Sequence, residues 1–194
     1  MFLFLNIQTD IKNTGANAPE EPLLIRAGAG DKEAFEELYK LTSHAVFGFA
    51  LSILKNRHDA EDVMQDTFLK IRMAAHLYEP RKKPMAWILT ITRNYCLMKL
   101  RSQKASSYLN YEDLENNIDY SFAADTESRL VLEAAFRILS EQERQIIMLH
   151  ALSGLKHREI AAILKLPLST VLSKYKRALE KLKKEISGKE QSHE

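Results

Sequence analysis

Ser169, Thr170, Ser173, Lys174, Lys176 and Arg177 crowd three hydroxyls and three cations into one short stretch. Val171, Tyr175, Ala178 and Leu182 run through the same stretch at spacings of four, three and four, which is one face of a helix. The polar residues then occupy its outer side. Hydroxyls, ammonium and guanidinium groups in such a row bond to phosphates and base edges, and Arg177 or Lys174 has the reach for a guanine. Ser169 also suits a helix N-cap. A second group is Asp59, Asp62 and Asp66, spaced three and four, so one helix face carries three like charges. Each such pair costs a few tenths of a kcal/mol in an isolated helix. Either a basic partner compensates, or the face is simply solvated near a helix start, where the dipole favours aspartate.

Enzymatic chemistry finds no comparable grouping. There is no Gly-rich phosphate loop, no nucleophile elbow and no His-Glu-x-x-His. The six histidines (44, 58, 76, 150, 157 and 193) are scattered. Cys96 is the only cysteine, so neither a disulfide framework nor a cysteine-based zinc site is expected. It lies among apolar residues and reads as an inert packed thiol. No cofactor is expected.

These groups need rigid helices to hold them. The chain has 194 residues, 45% hydrophobic and 28% charged, with six Gly and five Pro. Asn-Gly and Asp-Gly hairpin signals are missing, so an all-α chain is expected. The net charge of +2 is unevenly spread. Residues 23–104 carry 14 Lys and Arg against 9 Asp and Glu, residues 105–128 carry none against 6, and residues 129–187 carry 12 against 6. Two basic blocks flank an acidic one, which suits a polyanion partner or solvated helix faces. The opening Met1–Leu5 is too short for a secretory apolar core, and no stretch approaches a membrane span.

Residues 1–22 read as a poorly ordered leader. Asp31 precedes Phe35, Leu38 and Leu41 and should cap a helix that stops near Asn56. Asp59 opens the next, with Ala60, Val63, Thr67 and Ile71 on its inner face. Tyr78 to Pro84 is a turn in which two prolines bracket Arg81, Lys82 and Lys83. A third helix runs from Met85 to about Gln103, with Trp87, Ile88, Ile91, Tyr95, Met98 and Leu100 as its apolar set. Residues 105–128 read as a linker. Beyond Arg129 come a helix through Leu139, a Ser140-x-x-Glu143 capping box and a helix ended by Gly154.

His157 to Leu164 then reads as a short helix, Lys165 to Leu168 as a turn, and Ser169 as the start of the next helix. Ala161 is the small residue that lets the two helices pack closely. This is the layout of a DNA-reading helix-turn-helix, and an ordinary helical hairpin with a wet basic face shares it. Lys165 stands where many such turns have glycine; a left-handed conformation there would cost roughly 1 kcal/mol.

Two ordered motifs make the chain resemble the sigma factors of bacterial RNA polymerase, of the small extracytoplasmic-function type. One is Asp59-Ala60-Glu61-Asp62-Val63-Met64-Gln65-Asp66-Thr67-Phe68-Leu69-Lys70, followed by Ala86-Trp87-Ile88-Leu89-Thr90-Ile91-Thr92-Arg93-Asn94. The other is Leu139-Ser140-Glu141-Gln142-Glu143-Arg144, followed by Glu159-Ile160-Ala161 and Ser169-Thr170-Val171-Leu172-Ser173. The resemblance implies two small helical domains, at 23–104 and 129–187, joined by the acidic linker, with a tail at 188–194.

It also implies partners. The first domain would grip the clamp helices of the largest polymerase subunit through Asp62, Gln65 and Asp66. It would capture the opened minus-ten strand with Arg81, Lys82, Lys83, Trp87, Arg93 and Asn94; Trp87 suits the core as well as stacking on a base. The second would read minus-thirty-five duplex DNA through Arg158, Ser169, Thr170, Ser173, Lys174, Lys176 and Arg177 and dock on the polymerase flap. Glu112, Asp113 and Glu115 of the linker would mimic the RNA path. An anti-sigma factor is an expected partner, the compartment is the bacterial cytoplasm, and no membrane insertion is expected. Many relatives carry a cation at Leu172 and arginines at Lys174 and Lys176, so the promoter sequence does not transfer from them. The rival reading is a stand-alone helix-turn-helix regulator, which would have no use for the aspartate helix.

Overall fold

The computed structural model describes residues 19–80, 83–106 and 135–190. Seven α-helices are bounded within them: α1 (Glu21–Gly28), α2 (Lys32–Leu54), α3 (Arg57–Ala74), α4 (Pro84–Ser106), α5 (Glu141–Ser153), α6 (His157–Leu164) and α7 (Leu168–Glu190). A 3-10 turn (Ala75–Leu77) follows α3, and residues 135–138 are helical ahead of α5. The described residues contain no strand. The fold is all-α with two domains, α1–α4 and α5–α7.

Local chemistry sets the helix ends. The Asp31 carboxylate accepts from the Ala34 amide at 3.0 Å and caps α2 as expected. At α3 the cap is Asn56, whose side chain accepts from the Asp59 amide, so the helix starts two residues before Asp59. At Ser140 the glutamate half of the box forms: the Glu143 carboxylate accepts from the Ser140 amide at 3.0 Å and from its hydroxyl at 2.9 Å. Gly154 ends α5 with φ 63°. α1, which the apolar run at 23–27 left unassigned, packs against the 3-10 turn through Gly28. A Cβ there would lie 2.7 Å from the Ala75 carbonyl carbon.

α1 to α4 close around a core that includes Leu24, Leu38, Phe49, Leu51, Ile71, Ile88 and Leu89. The expected inner face of α3 (Ala60, Val63, Thr67 and Ile71) is wholly buried. Met98 departs from the apolar set expected for α4, since it is 59% exposed. Helical phase explains this, since Cys96 and Thr92 take the buried stripe instead.

The domains do not stand apart. α5 packs along α2 and α6 meets α4, so Ile146, Leu149, Ile160, Leu164 and Val171 join the same apolar cluster. A smaller cluster of Ala135, Leu139, Ile147, Ala178 and Leu182 holds α7 to the residues ahead of α5. Lys181 reaches Glu143 at 2.7 Å and ties α7 to the start of α5.

Candidate nucleic-acid interface

α7 is the centre of the second domain's candidate site. Val171, Ala178 and Leu182 are buried and Tyr175 is half-buried, as the four-three-four spacing requires. Ser169, Leu172, Ser173, Lys176 and Arg177 are exposed on the outer side. Thr170 and Lys174 are half-buried at its edges. The Ser173 hydroxyl donates to the Thr170 carbonyl at 3.0 Å, and Arg177 lies back along the helix toward the Ser173 carbonyl. Arg158 is exposed on α6.

Two expectations about the turn meet different outcomes. Lys165 does adopt the left-handed conformation, with φ 56° and ψ 44°, and its amide bonds back to the Ala161 and Ala162 carbonyls. Ser169 is not the N-cap. α7 begins at Leu168, and the Val171 amide donates to the Pro167 carbonyl, so Ser169 sits inside the first turn. Pro167 favours this because its fixed φ suits a helix entry. The Ser169 hydroxyl is thereby turned outward, onto the outer face.

Behind α7 lies an aromatic cluster. The rings of His150 and His157 stack with centroids 4.9 Å apart, and both meet Tyr175 edge-on, at 5.0 and 4.6 Å. His150 Nδ1 faces the Leu155 carbonyl at 2.9 Å, while His157 Nε2 is buried with no hydrogen-bond partner. Burial and then the neighbouring His150 hold His157 below its ordinary pKa, so it is neutral at pH 7. Scattered in sequence, the two histidines showed no sign of this pairing. No group of three or more His, Cys, Asp or Glu among the described residues could hold a metal ion.

The first domain gathers its acidic group on α3. Of the two alternatives for the aspartate face, a basic partner within the chain compensates part of it. Lys99 of α4 bonds to Asp59 at 2.8 Å and to Asp62 at 2.7 Å, and Gln103 donates to Asp59 at 2.8 Å. The Lys99 bond and charge hold Asp62 below its ordinary pKa. Burial works to lower the Lys99 pKa, but the two aspartates outweigh it and raise the value. Gln65 and Asp66 are exposed, and Asp66 has no ion pair among the described residues. The same helix side continues into Leu69 and Met73, 59% and 72% exposed, then Leu77 at 69%. The aspartate spacing alone does not point to this apolar extension. Its signal was the i, i+4, i+8 spacing.

The expected strand-capturing residues are only partly gathered. Arg81 and Lys82 lie outside the described residues, as do Glu112, Asp113 and Glu115. Lys83 is exposed at the start of α4, 3.7 Å from Glu159 of α6. Its amide donates to the Tyr78 hydroxyl, which in turn donates to Glu21 at 2.8 Å. Trp87 is half-buried, edge-on to Tyr78 at 5.5 Å. Arg93 is half-buried and Asn94 exposed.

A two-domain helical chain with a helix-turn-helix, an outward polar and cationic face on its second helix and a separate acidic face is a multi-surface DNA-reading protein. Comparison with known proteins sharpens the class. Residues 38–106 match the family "Sigma-70 region 2" and residues 129–182 match "Sigma-70, region 4". Together they cover more than half of the chain. The ECF RNA polymerase sigma factor SigK of Mycobacterium sp. (strain KMS) is 27% identical over 168 residues, 83% of this chain and 87% of that protein. The sigma factor RpoE of Bartonella quintana, solved with the anti-sigma factor NepR, aligns with a TM-score of 0.61 at 26% identity, over 80% of this chain and 98% of that one. CnrH, solved with the cytosolic domain of CnrY, shares the fold with a TM-score of 0.56 at 24% identity, over 86% and 96%. The chain belongs to the sigma-70 family and is a sigma factor of the extracytoplasmic-function type, a transcription initiation factor. No described helix is long and apolar enough to cross a membrane.

Proposed function

We propose that this sigma factor works by binding alone, in the cytoplasm, through three surfaces. Residues 23–104 form the polymerase and minus-ten domain, 105–128 the linker and 129–187 the minus-thirty-five domain. Asp62, Gln65 and Asp66, extended by Leu69 and Met73, dock on the clamp helices of the largest polymerase subunit. Lys99 holds Asp62 in place, leaving Asp66 to meet a partner's cation. Lys83, Arg93 and Asn94, with Arg81, Lys82 and Trp87, hold the opened minus-ten strand. Ser169, Thr170, Ser173, Lys174, Lys176 and Arg177, with Arg158, read the minus-thirty-five duplex, and the same domain docks on the polymerase flap.

The observation that carries this reading is the division of α7. Its apolar side is packed, and its hydroxyls and cations face outward in the geometry of a major-groove helix. An anti-sigma factor is a partner of the class that RpoE of Bartonella quintana carries in its solved complex. A stand-alone regulator would have no use for the Asp66–Met73 surface.

Reconstituted transcription with core polymerase on a genomic promoter pool tests the reading. The expected result is initiation confined to a small promoter set that core alone does not use. Duplex binding with no association to core would instead establish the stand-alone regulator.

A further inference from the structure

Among the described side chains of α7, Leu172 is the one apolar residue left exposed, at 47%. Every other apolar side chain of that stretch is accounted for. Val171, Ala178 and Leu182 are buried, and Leu168, Tyr175 and Leu179 pack partly against the clusters behind them. Leu172 belongs to neither cluster. It stands one turn beyond Ser169, beside Ser173 and one turn before Lys176, in the middle of the exposed row that ends at Arg177.

Position and surroundings together specify an occupant. An isolated exposed leucine ordinarily needs no explanation. This one sits in the first turns of a recognition helix, the part that meets base edges, and its nearest exposed neighbours are hydroxyls and cations suited to a polyanion. A protein surface would leave Lys176 and Arg177 needing acidic partners around it, whereas duplex DNA supplies phosphates on both sides of the groove. The one apolar group on a major-groove edge is the thymine C5-methyl.

We propose that Leu172 is a specificity-determining residue that packs on a thymine methyl in the minus-thirty-five duplex. This rests on the reading of α7 as the duplex-binding helix. Leu172 cannot donate or accept a hydrogen bond, so it discriminates by apolar contact alone. Thymine is preferred there over uracil as well as over cytosine. The Ser173 hydroxyl beside it donates to Thr170 and keeps only its acceptor lone pairs for a base edge, so the two side chains read different features.

The test uses holoenzyme and a minus-thirty-five duplex taken from a promoter it transcribes. Each thymine is replaced singly by uracil, which removes the methyl and nothing else. One replacement should weaken binding by the wild-type holoenzyme about fourfold, the effect of exposing roughly one buried carbon. The Leu172→Ala holoenzyme should bind that thymine and uracil pair equally. Folding is not at stake in the wild-type arm, and Leu172 is exposed in the other. Equal binding of all thymine and uracil duplexes by the wild type overturns the proposal, as does discrimination that survives in Leu172→Ala. Arg177→Ala, run in parallel, separates the two levels. If it weakens binding while uracil has no effect, only the leucine assignment fails. If it too has no effect, the reading of α7 fails with it.

Discussion

Arg144 donates from Nε to the backbone carbonyl of Ser52 at 3.1 Å, across 92 positions of sequence. Ser52 lies in the last turn of α2, where carbonyls lack helical partners and the dipole is negative. The guanidinium therefore caps α2 from α5. It also donates to the Phe136 carbonyl at 3.1 Å and lies 5.0 Å from the Phe136 ring centroid. With only 3% of the residue exposed, one side chain joins the two domains and the segment ahead of α5.

Replacing Arg144 strips these carbonyls of a charged donor without restoring water. Arg144→Ala should lower stability by about 2–4 kcal/mol, read as a lower urea midpoint. Arg144→Lys should recover little, because a point ammonium cannot span both carbonyls as the fork does. A midpoint unchanged in both variants would refute the capping role.

Asp66 and Arg177 should separate two functions. Asp66→Ala should weaken core polymerase binding about tenfold and leave promoter preference unchanged. Arg177→Ala should weaken minus-thirty-five duplex binding with a shallower salt slope, leaving core affinity intact. Fluorescence titrations with core and with duplex distinguish these outcomes. Swapped effects would reverse the surface assignment.

Lys165 holds φ 56° at the turn of the helix-turn-helix. Lys165→Gly relieves the left-handed penalty, offset in part by the looser unfolded chain. A net gain of about 0.5 kcal/mol is expected in thermal unfolding. The same change at Lys55, also at φ 56°, should act in the same direction.

His157 confers a pH dependence whose sign follows from its lowered pKa. The unfolded chain binds a proton near 6.5, the folded one only below that. Stability is therefore full above pH 6.5 and declines as pH falls through that value toward the folded pKa. The neighbouring His150 ring, stacked 4.9 Å away, adds to the penalty of charging His157. Denaturation series at pH 7.5, 6 and 5 should show a larger loss in the wild type than in His157→Gln. Parallel losses would remove His157 as the cause.

Cys96 is fully buried on α4, and burial pushes its thiol pKa up to about 12. The thiolate is the reactive form. A thiol reagent at pH 8 should leave the native chain unmodified and label it once urea unfolds it. Labelling that outpaces unfolding would show an open route to the sulfur.

The sequence by itself determined most of the helices, several of their caps and the two helix faces that matter most. Those features depend on neighbours within four residues. Asp31, the Ser140 box, Gly154 and the packed side of α7 were legible for that reason. So was the left-handed turn at Lys165. Helix phase in α4 was less legible, and Met98 fell outside the core because its apolar residues outnumber the buried stripe. Only the tertiary structure decided which distant groups meet. It placed Lys99 between Asp59 and Asp62, stacked His150 on His157 and brought Arg144 to the end of α2. It also left Leu172 uncovered. Such pairings depend on how helices cross and which side chains fill the space between them, and no spacing along one helix encodes that.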